Sequence, residues 1–336
     1  MSSPKTLSPL TVNSQRNHNK SALIVIVGPT AVGKTEIAIQ LAEDLKGEIV
    51  SADSRLFYRG LDIGTAKPDP KQRARVRHHL IDVADPNQTW SLSIFQETVR
   101  AAIADIQARQ RLPLLVGGTG QYVRAVTQGW SPPPQAPDPH LRTVLEGLAQ
   151  QRGREWLHAR LSMIDPKAAK KIDPRNLRRT VRALEVIFDT GWRFSEQRQK
   201  STSPYHLLII GLRRPRPELY VRLDARIEAM FANGFLEEVK GLLEQGYPPN
   251  LPSLSAIGYG ECVAVLQGKL SLEQAKVQIK RKTRVFVRRQ ANWFREDDPN
   301  IHWFEAGQEG VVQKIETLIQ AWLSDQITPE SHLTNK

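Results

Sequence analysis

The chain has 336 residues, 40% apolar and 24% charged, the balance of a soluble globular protein with one large domain or two modest ones. No apolar run reaches bilayer-spanning length, and the single cysteine, Cys262, excludes an internal disulfide and a Cys-based zinc site and fits a reducing cytoplasm. The net charge of +12 suits a polyanionic partner such as nucleic acid.

Residues 1–20 are polar, rich in Ser and Asn, and lack the apolar core of a signal peptide, so a disordered tail is expected. The apolar run 22–27 reads as a strand. It leads into Gly28, Pro29, Thr30, Ala31, Val32, Gly33, Lys34 and Thr35, which fit G-x-x-x-x-G-K-[ST] at every fixed position. A helical pattern follows, with Ile37, Leu41 and Leu45 four apart. Strand, Gly-rich turn and helix together make a phosphate cradle. Backbone N–H groups point inward, the helix N-terminus adds partial positive charge, Lys34 supplies a cation, and the Thr35 hydroxyl can ligate Mg²⁺. The pattern indicates nucleotide (ATP), diphosphate or triphosphate binding without by itself indicating hydrolysis.

A second strand, 48–52, ends at Asp53, which can accept a proton from a nucleophile or merely cap a turn with Ser54. His78 and His79 lack the spacing of a metal pair, so polar contacts are the better reading. The short run 80–83 contains Asp82, the one candidate for a Walker-B carboxylate. Residues 91–110 read as a helix, with Ser93 and Gln96 resembling a capping box. A third strand, 112–116, stops at Gly117-Gly118-Thr119. Alternating strands and helices indicate an α/β fold, an open parallel sheet covered on both faces. Gly28, Asp53 and Thr119 all follow strand ends, so they should converge at one site.

The proline-rich stretch 131–139 breaks regular structure. Beyond it 141–160 and 167–188 look helical, 205–212 returns as a strand, 218–245 is helical with a break at Gly234, and 272–294 is a long basic helix. The implied organisation is a core of 21–130 and 177–322, a helical insertion at 131–176, and a disordered tail at 323–336. From Lys276 to Arg295 there are eight Lys or Arg and no acidic residue. Lys276, Lys280, Arg284 and Arg288 share one helix face, while Ile279, Phe286 and Trp293 recur on another side that can pack into protein. Arg175, Arg178, Arg179 and Arg182 form a second cationic face. Like charges four apart destabilise a helix, which a nucleic-acid backbone would offset.

Taken together, several segments resemble the tRNA dimethylallyltransferases (tRNA isopentenyltransferases) of the bacterial type. They are the phosphate loop with its Gly-Pro-Thr-Ala opening, Ser-Ala-Asp-Ser-Arg at 51–55, Tyr-Arg-Gly-Leu-Asp-Ile-Gly-Thr-Ala-Lys-Pro at 58–68 and His-His-Leu-Ile-Asp at 78–82. Further along are Gly-Gly-Thr-Gly at 117–120, Arg-Ala-Leu-Glu-Val at 182–186, Ala-Ile-Gly-Tyr at 256–259 and Arg-Arg-Gln-Ala-Asn-Trp-Phe-Arg at 288–295. The resemblance implies a P-loop NTPase-like core with a helical insertion that helps grip a tRNA anticodon stem-loop. It implies transfer of a dimethylallyl group from dimethylallyl diphosphate to N6 of adenosine 37, next to the anticodon, in tRNAs reading codons that begin with U. The products would be N6-(dimethylallyl)adenosine and diphosphate, the cofactor Mg²⁺, the setting cytoplasmic and the enzyme a monomer.

The resemblance also implies residue roles. Asp53 would be the general base and Thr119 would lie near the reacting centre; the loop from Gly28 to Thr35 would hold the prenyl diphosphate. Contacts to tRNA would come from Asp53, Ser54, Arg55, Leu56, Thr119 and Arg142, from Arg178, Arg179, Thr180, Val181 and Arg182, and from Ser255, Ala256, Ile257, Gly258, Tyr259 and Gly260. Arg288, Arg289, Gln290, Ala291, Asn292, Trp293, Phe294 and Arg295 would complete them. Leu56 and Val285 stand where many members have Gln, and Gly260 where members often have a long polar residue. Competing readings are a P-loop kinase, which would not need the basic helix, and a nucleic-acid-stimulated ATPase, which needs a Walker-B pair and an arginine finger. A non-enzymatic RNA-binding module would not need Lys34 and Thr35.

Overall fold

The computed structural model describes residues 20–130, 138–197 and 202–327. The expected tail over 1–19, most of the proline-rich stretch and residues 328–336 lie outside the described residues. In chain order the elements are β1 (Ser21–Val27), α1 (Lys34–Asp44), β2 (Gly47–Ser51), α2 (Pro70–Arg75), β3 (His78–His79), α3 (Leu92–Ala108), β4 (Leu112–Gly117) and α4 (Gly120–Thr127). Then come α5 (Pro139–Arg152), α6 (Arg154–Ile164), α7 (Pro166–Ala169), α8 (Leu177–Thr190), β5 (Tyr205–Arg213), α9 (Arg216–Ala232) and α10 (Phe235–Glu244). The last are α11 (Tyr259–Leu266), α12 (Leu272–Ala291), β6 (Ile301–Glu305) and α13 (Val311–Ile327).

The six strands form one sheet in the order β3-β2-β4-β1-β5-β6, and every pairing is parallel. Period-two alternation explains why β1 has no polar face. Leu23, Val25 and Val27 point into one apolar layer, and Ile24 and Ile26 into the other. The first layer is closed by α3, α4, α10 and α11 through residues such as Phe95, Val123, Val239 and Tyr259. The second is closed by α1, α9 and α13 through Leu41, Leu223 and Ile315. Each of these buried side chains contributes about 1.5–3 kcal/mol of transfer free energy. With β1 between β4 and β5, the loops after β1, β2 and β4 open on one edge of the sheet.

The insertion has its own apolar cluster, in which Leu145, Leu157, Leu161, Ala169, Val181 and Leu184 meet. That cluster joins Val181, Leu184 and Ile187 of α8 to α5 and α6. Several element limits differ from expectation. Gly153, with φ 96°, separates α5 from α6, and the Asp165-Pro166 pair starts α7, so the two long helices expected here are four shorter ones. The cap of α3 is Ser91, whose Oγ accepts the Ile94 N–H; Gln96 is buried and donates instead to the Ala125 and Trp130 carbonyls. The basic helix ends at Ala291, and α13 continues to Ile327 into the stretch expected to be disordered.

Candidate active site and RNA-facing surface

Gly28 leaves β1 with φ 151° and no room for a side chain, because a Cβ there would lie 2.5 Å from the Leu212 carbonyl oxygen. Ala31 also takes a positive φ, 68°, and Gly33 turns the chain into α1. The curl is braced from outside by two arginines. The Arg222 Nε donates to the Ala31 carbonyl at 2.9 Å, and the Arg214 Nε to the Val32 carbonyl at 2.9 Å. Lys34 lies back across the mouth of the loop, donating to the Gly28 and Pro29 carbonyls at 3.0 and 2.9 Å. Burial lowers the Lys34 pKa to about 8; Asp53 works against this and Arg226 adds to it. Thr35 is exposed in the first turn of α1, with no hydrogen bond to its hydroxyl among the described residues.

Gln290 of α12 joins two of the loops. Its Oε1 accepts the Thr30 N–H at 2.9 Å, and its Nε2 donates to the Gly118 carbonyl at 3.1 Å. The Gly117–Gly120 turn is held tightly: a Cβ on Gly120 would fall within 2.4 Å of the Trp293 ring. Trp293 in turn lies beneath the Arg124 guanidinium, 5.3 Å from its ring centre. Gly28, Asp53 and Thr119 therefore meet at the carboxyl edge of the sheet, as their positions after strands require.

Asp53 fills the turn role and the site role together. Its Oδ1 accepts the Arg55 N–H at 3.0 Å, while its charge acts on Lys34. Arg55 reaches across the surface to the Pro252 and Ser253 carbonyls and to the Ser255 Oγ, tying the Asp53 loop to the segment before α11. Burial raises the Tyr122 hydroxyl pKa to about 12, with Tyr58 and Asp53 adding to the shift and Arg55 and Arg178 opposing it. Arg178, on the insertion, is thus within electrostatic reach of the site.

The remaining motifs support these loops. Glu238, on α10, accepts the Asp62, Ile63 and Gly64 N–H groups and the Tyr259 hydroxyl, the last at 2.7 Å. Lys67 is buried and donates to the Tyr58 carbonyl and to the carboxylates of Asp62 and Asp82. Asp82 also pairs with Arg73 at 2.7 Å and sits in a turn with φ 57°, so it is not a Walker-B carboxylate at a strand end. His78 contacts the Val76 carbonyl and His79 the Glu48 carboxylate, each at 2.7 Å, the polar contacts expected of them. A cavity of about 420 Å³ opens between the 62–70 loop and α9, lined by Ile63, Met230, Lys67 and Arg226.

The cationic faces are arranged differently from expectation. Lys276 and Lys280 pair with Glu228, and Arg284 with Asp224, so this face of α12 is turned onto α9 rather than outward. Arg288 and Arg289 are exposed, as is Phe286, which was expected to pack. Arg175 precedes α8 and is chelated by Asp173; it does not extend the α8 face. Arg142 and Arg182 both approach the buried Glu185. Among the other residues the resemblance singled out, Arg178, Arg179, Ser255, Gly260, Ala291, Asn292 and Arg295 are exposed, and Ser54, Leu56, Ala256, Ile257 and Trp293 are half-buried. Thr180, Val181, Gly258, Tyr259, Gln290 and Phe294 are buried and serve packing or internal hydrogen bonds. Arg214, Arg222, Arg226 and Glu238 escaped the sequence reading. The four-residue spacing of Arg222 and Arg226 was the one available signal for them.

Fold and site define a P-loop NTPase-like α/β protein whose phosphate-loop lysine lies within electrostatic reach of the Asp53 carboxylate. The family model described as IPP transferase matches residues 56–297, and the chain belongs to that family. A tRNA dimethylallyltransferase of Roseiflexus sp. (strain RS-1) is 52% identical over 301 residues, 90% of this chain and 98% of that one. One of Geobacter sulfurreducens is 44% identical over 290 residues, 85% and 93% of the two chains. Among solved structures, the full-length tRNA isopentenylpyrophosphate transferase of Bacillus halodurans matches with TM-score 0.69 and 41% identity, covering 91% of this chain and 98% of that one. A eukaryotic dimethylallyltransferase acting on tRNA matches with TM-score 0.80 at 25% identity, over 93% and 81% of the chains.

Proposed function

We propose that the protein transfers the dimethylallyl group of dimethylallyl diphosphate to N6 of adenosine 37 in tRNAs reading codons that begin with U. The observation that carries this reading is the meeting of the Lys34 loop, Asp53 and Thr119 at one sheet edge, tied through Arg55 to Ser255 on the surface that would face RNA. The diphosphate lies in the Gly28–Thr35 curl, where N–H groups, Lys34 and Arg226 stabilise the charge left on oxygen as the carbon–oxygen bond breaks. The adenine nitrogen forms the new bond to that carbon, and Asp53 takes the N6 proton. The adenosine must leave its stack to reach the site, at a cost of a few kcal/mol. Phosphate contacts to Arg178, Arg179, Arg288 and Arg289 offset that cost.

Mg²⁺ fits the residues present. Thr35 offers an exposed hard oxygen, and no group of three His, Cys, Asp or Glu side chains forms a protein cage among the described residues. An ion held by Thr35 together with diphosphate oxygens and water would add positive charge at the leaving group. The reading places the enzyme in the cytoplasm as a monomer. No helix among the described residues is long and apolar enough to cross a membrane. The test is incubation with Mg²⁺, labelled dimethylallyl diphosphate and unmodified tRNA. Label is expected in RNA at the adenosine beside the anticodon; ATP consumption with no label in RNA would sink the reading.

A further inference from the structure

Three strand-end loops meet in close backbone contact at the carboxyl edge of the sheet. A Cβ built on Gly117 would lie 2.6 Å from the carbonyl oxygen of Ala52, the residue before Asp53, and one on Gly118 would lie 3.2 Å from the Gly28 carbonyl oxygen. The Gly117-Gly118 turn is therefore wedged between the Asp53 loop and the diphosphate loop. Gly118 leads directly into Thr119, the residue that begins α4.

One side chain spans this junction. Gln290, in the last turn of α12 and 6% exposed, accepts the Thr30 N–H on its Oε1 and donates from its Nε2 to the Gly118 carbonyl. A primary amide carries an acceptor and a donor in one plane, so it satisfies an N–H and a C=O together, and only one orientation of the amide does both here. The fit is close, since a Cβ on Gly118 would fall 2.5 Å from that Nε2. The chain just beyond holds Gln290 in place: the Trp293 N–H donates to the Gln290 carbonyl at 3.0 Å, and Arg124 of α4 donates to the Trp293 carbonyl.

In the proposed reaction the leaving oxygen lies in the Gly28–Thr35 curl, while the adenine nitrogen approaches from the side of Asp53 and Thr119. The allylic carbon passes between them. The separation of the two loops sets the length of that passage, and a misplacement of about 1 Å can cost about 10²-fold in rate. Both hydrogen bonds of the Gln290 amide end on backbone, one on each loop, so this side chain fixes the separation. Its head is buried and bonded within the protein, which leaves it badly placed to read RNA.

We infer that Gln290 is a positioning residue for the transfer step, acting through Thr30 and Gly118 to hold the leaving group and the Thr119 side at reacting distance, and is not a contact to tRNA. The inference rests on the prenyl-transfer reading and deepens it.

The test compares single-turnover transfer at saturating substrates with equilibrium tRNA binding, in wild type and two variants. Gln290→Leu, similar in size and unable to bond either loop, should bind tRNA within about twofold of wild type and transfer roughly 10²-fold more slowly. Gln290→Glu gives a pH signature that does not depend on the first variant folding. Ionised, its carboxylate accepts the Thr30 N–H but repels the Gly118 carbonyl; protonated, its hydroxyl donates to that carbonyl and restores both bonds. The ratio of its transfer rate to that of wild type should rise roughly tenfold as pH falls from about 8 to about 5.5, because burial raises the pKa of the introduced carboxyl. Taking the ratio cancels the titration of groups common to both proteins. Weakened tRNA binding with transfer at saturation intact, or a ratio flat with pH, would overturn the inference. A wild-type protein that transfers the prenyl group, with Gln290→Leu equal to it, would overturn the inference alone, whereas a wild type that transfers none overturns the activity on which it rests.

Discussion

Asp53 holds two jobs that one substitution separates. Its Oδ1 accepts the Arg55 N–H and so shapes the turn, while the carboxylate charge faces Lys34. Asp53→Asn keeps an acceptor for the turn but cannot take a proton. It is expected to retain tRNA binding and lose transfer by roughly 10²–10⁴-fold in single-turnover assays; intact turnover with lost binding would contradict the base role. Lys34 gives a pH signature. Burial depresses its pKa to about 8, and a bound diphosphate, being anionic, favours the protonated form. Affinity for the prenyl diphosphate should therefore be steady below pH 8 and fall as pH rises through that value. Lys34→Arg, whose guanidinium does not titrate in this range, should flatten that limb of the KM profile.

Element by element, α12 divides its charge between two tasks that composition alone cannot distinguish. Lys276, Lys280 and Arg284 anchor the helix to Glu228 and Asp224 of α9, whereas Arg288 and Arg289 face outward. Neutralising Arg288 and Arg289 should lower the salt dependence of tRNA binding by about one unit of log–log slope per charge. Neutralising Lys276 and Lys280 should leave that slope unchanged and lower thermal stability instead, because Glu228 loses its partners. A common effect on slope from both pairs would contradict the division. The helix was legible as basic and amphipathic, but which charges face RNA depended on α9, an element some fifty residues away in sequence.

For the whole molecule, the helical insertion and the two faces of the sheet are packed as separate apolar clusters. Leu161, fully buried in the insertion, tests this. Leu161→Ala should cost about 2–5 kcal/mol within the insertion. Hydrogen exchange should show lost protection in α5, α6 and α8, with the strands of the sheet little changed. Equal loss in β1 and β4 would mean the two parts unfold as one.

Much of the fold and part of the site were readable because they rest on local physics. A run of apolar residues, a glycine-rich turn and a helical repeat specify strand, phosphate loop and helix without reference to distant chain. Short strands such as His78–His79 carried no such signal, since two residues show no periodicity and the pairing with β2 creates the element. Ser93 and Gln96 have capping-box spacing, but Ser91 takes the cap; the backbone geometry at the helix start decides between the two serines. The anion cradle at Gly28–Thr35, the parallel α/β core and the abundance of cationic helix follow from residue type and local spacing. That Arg214 and Arg222 brace the cradle, that Gln290 joins it to Gly118, and that Glu238 gathers the 62–64 loop are matters of long-range packing. Each of these is a hydrogen bond between residues far apart in the chain. Its existence depends on which helix face the packing turns inward, and side-chain type and spacing do not encode that.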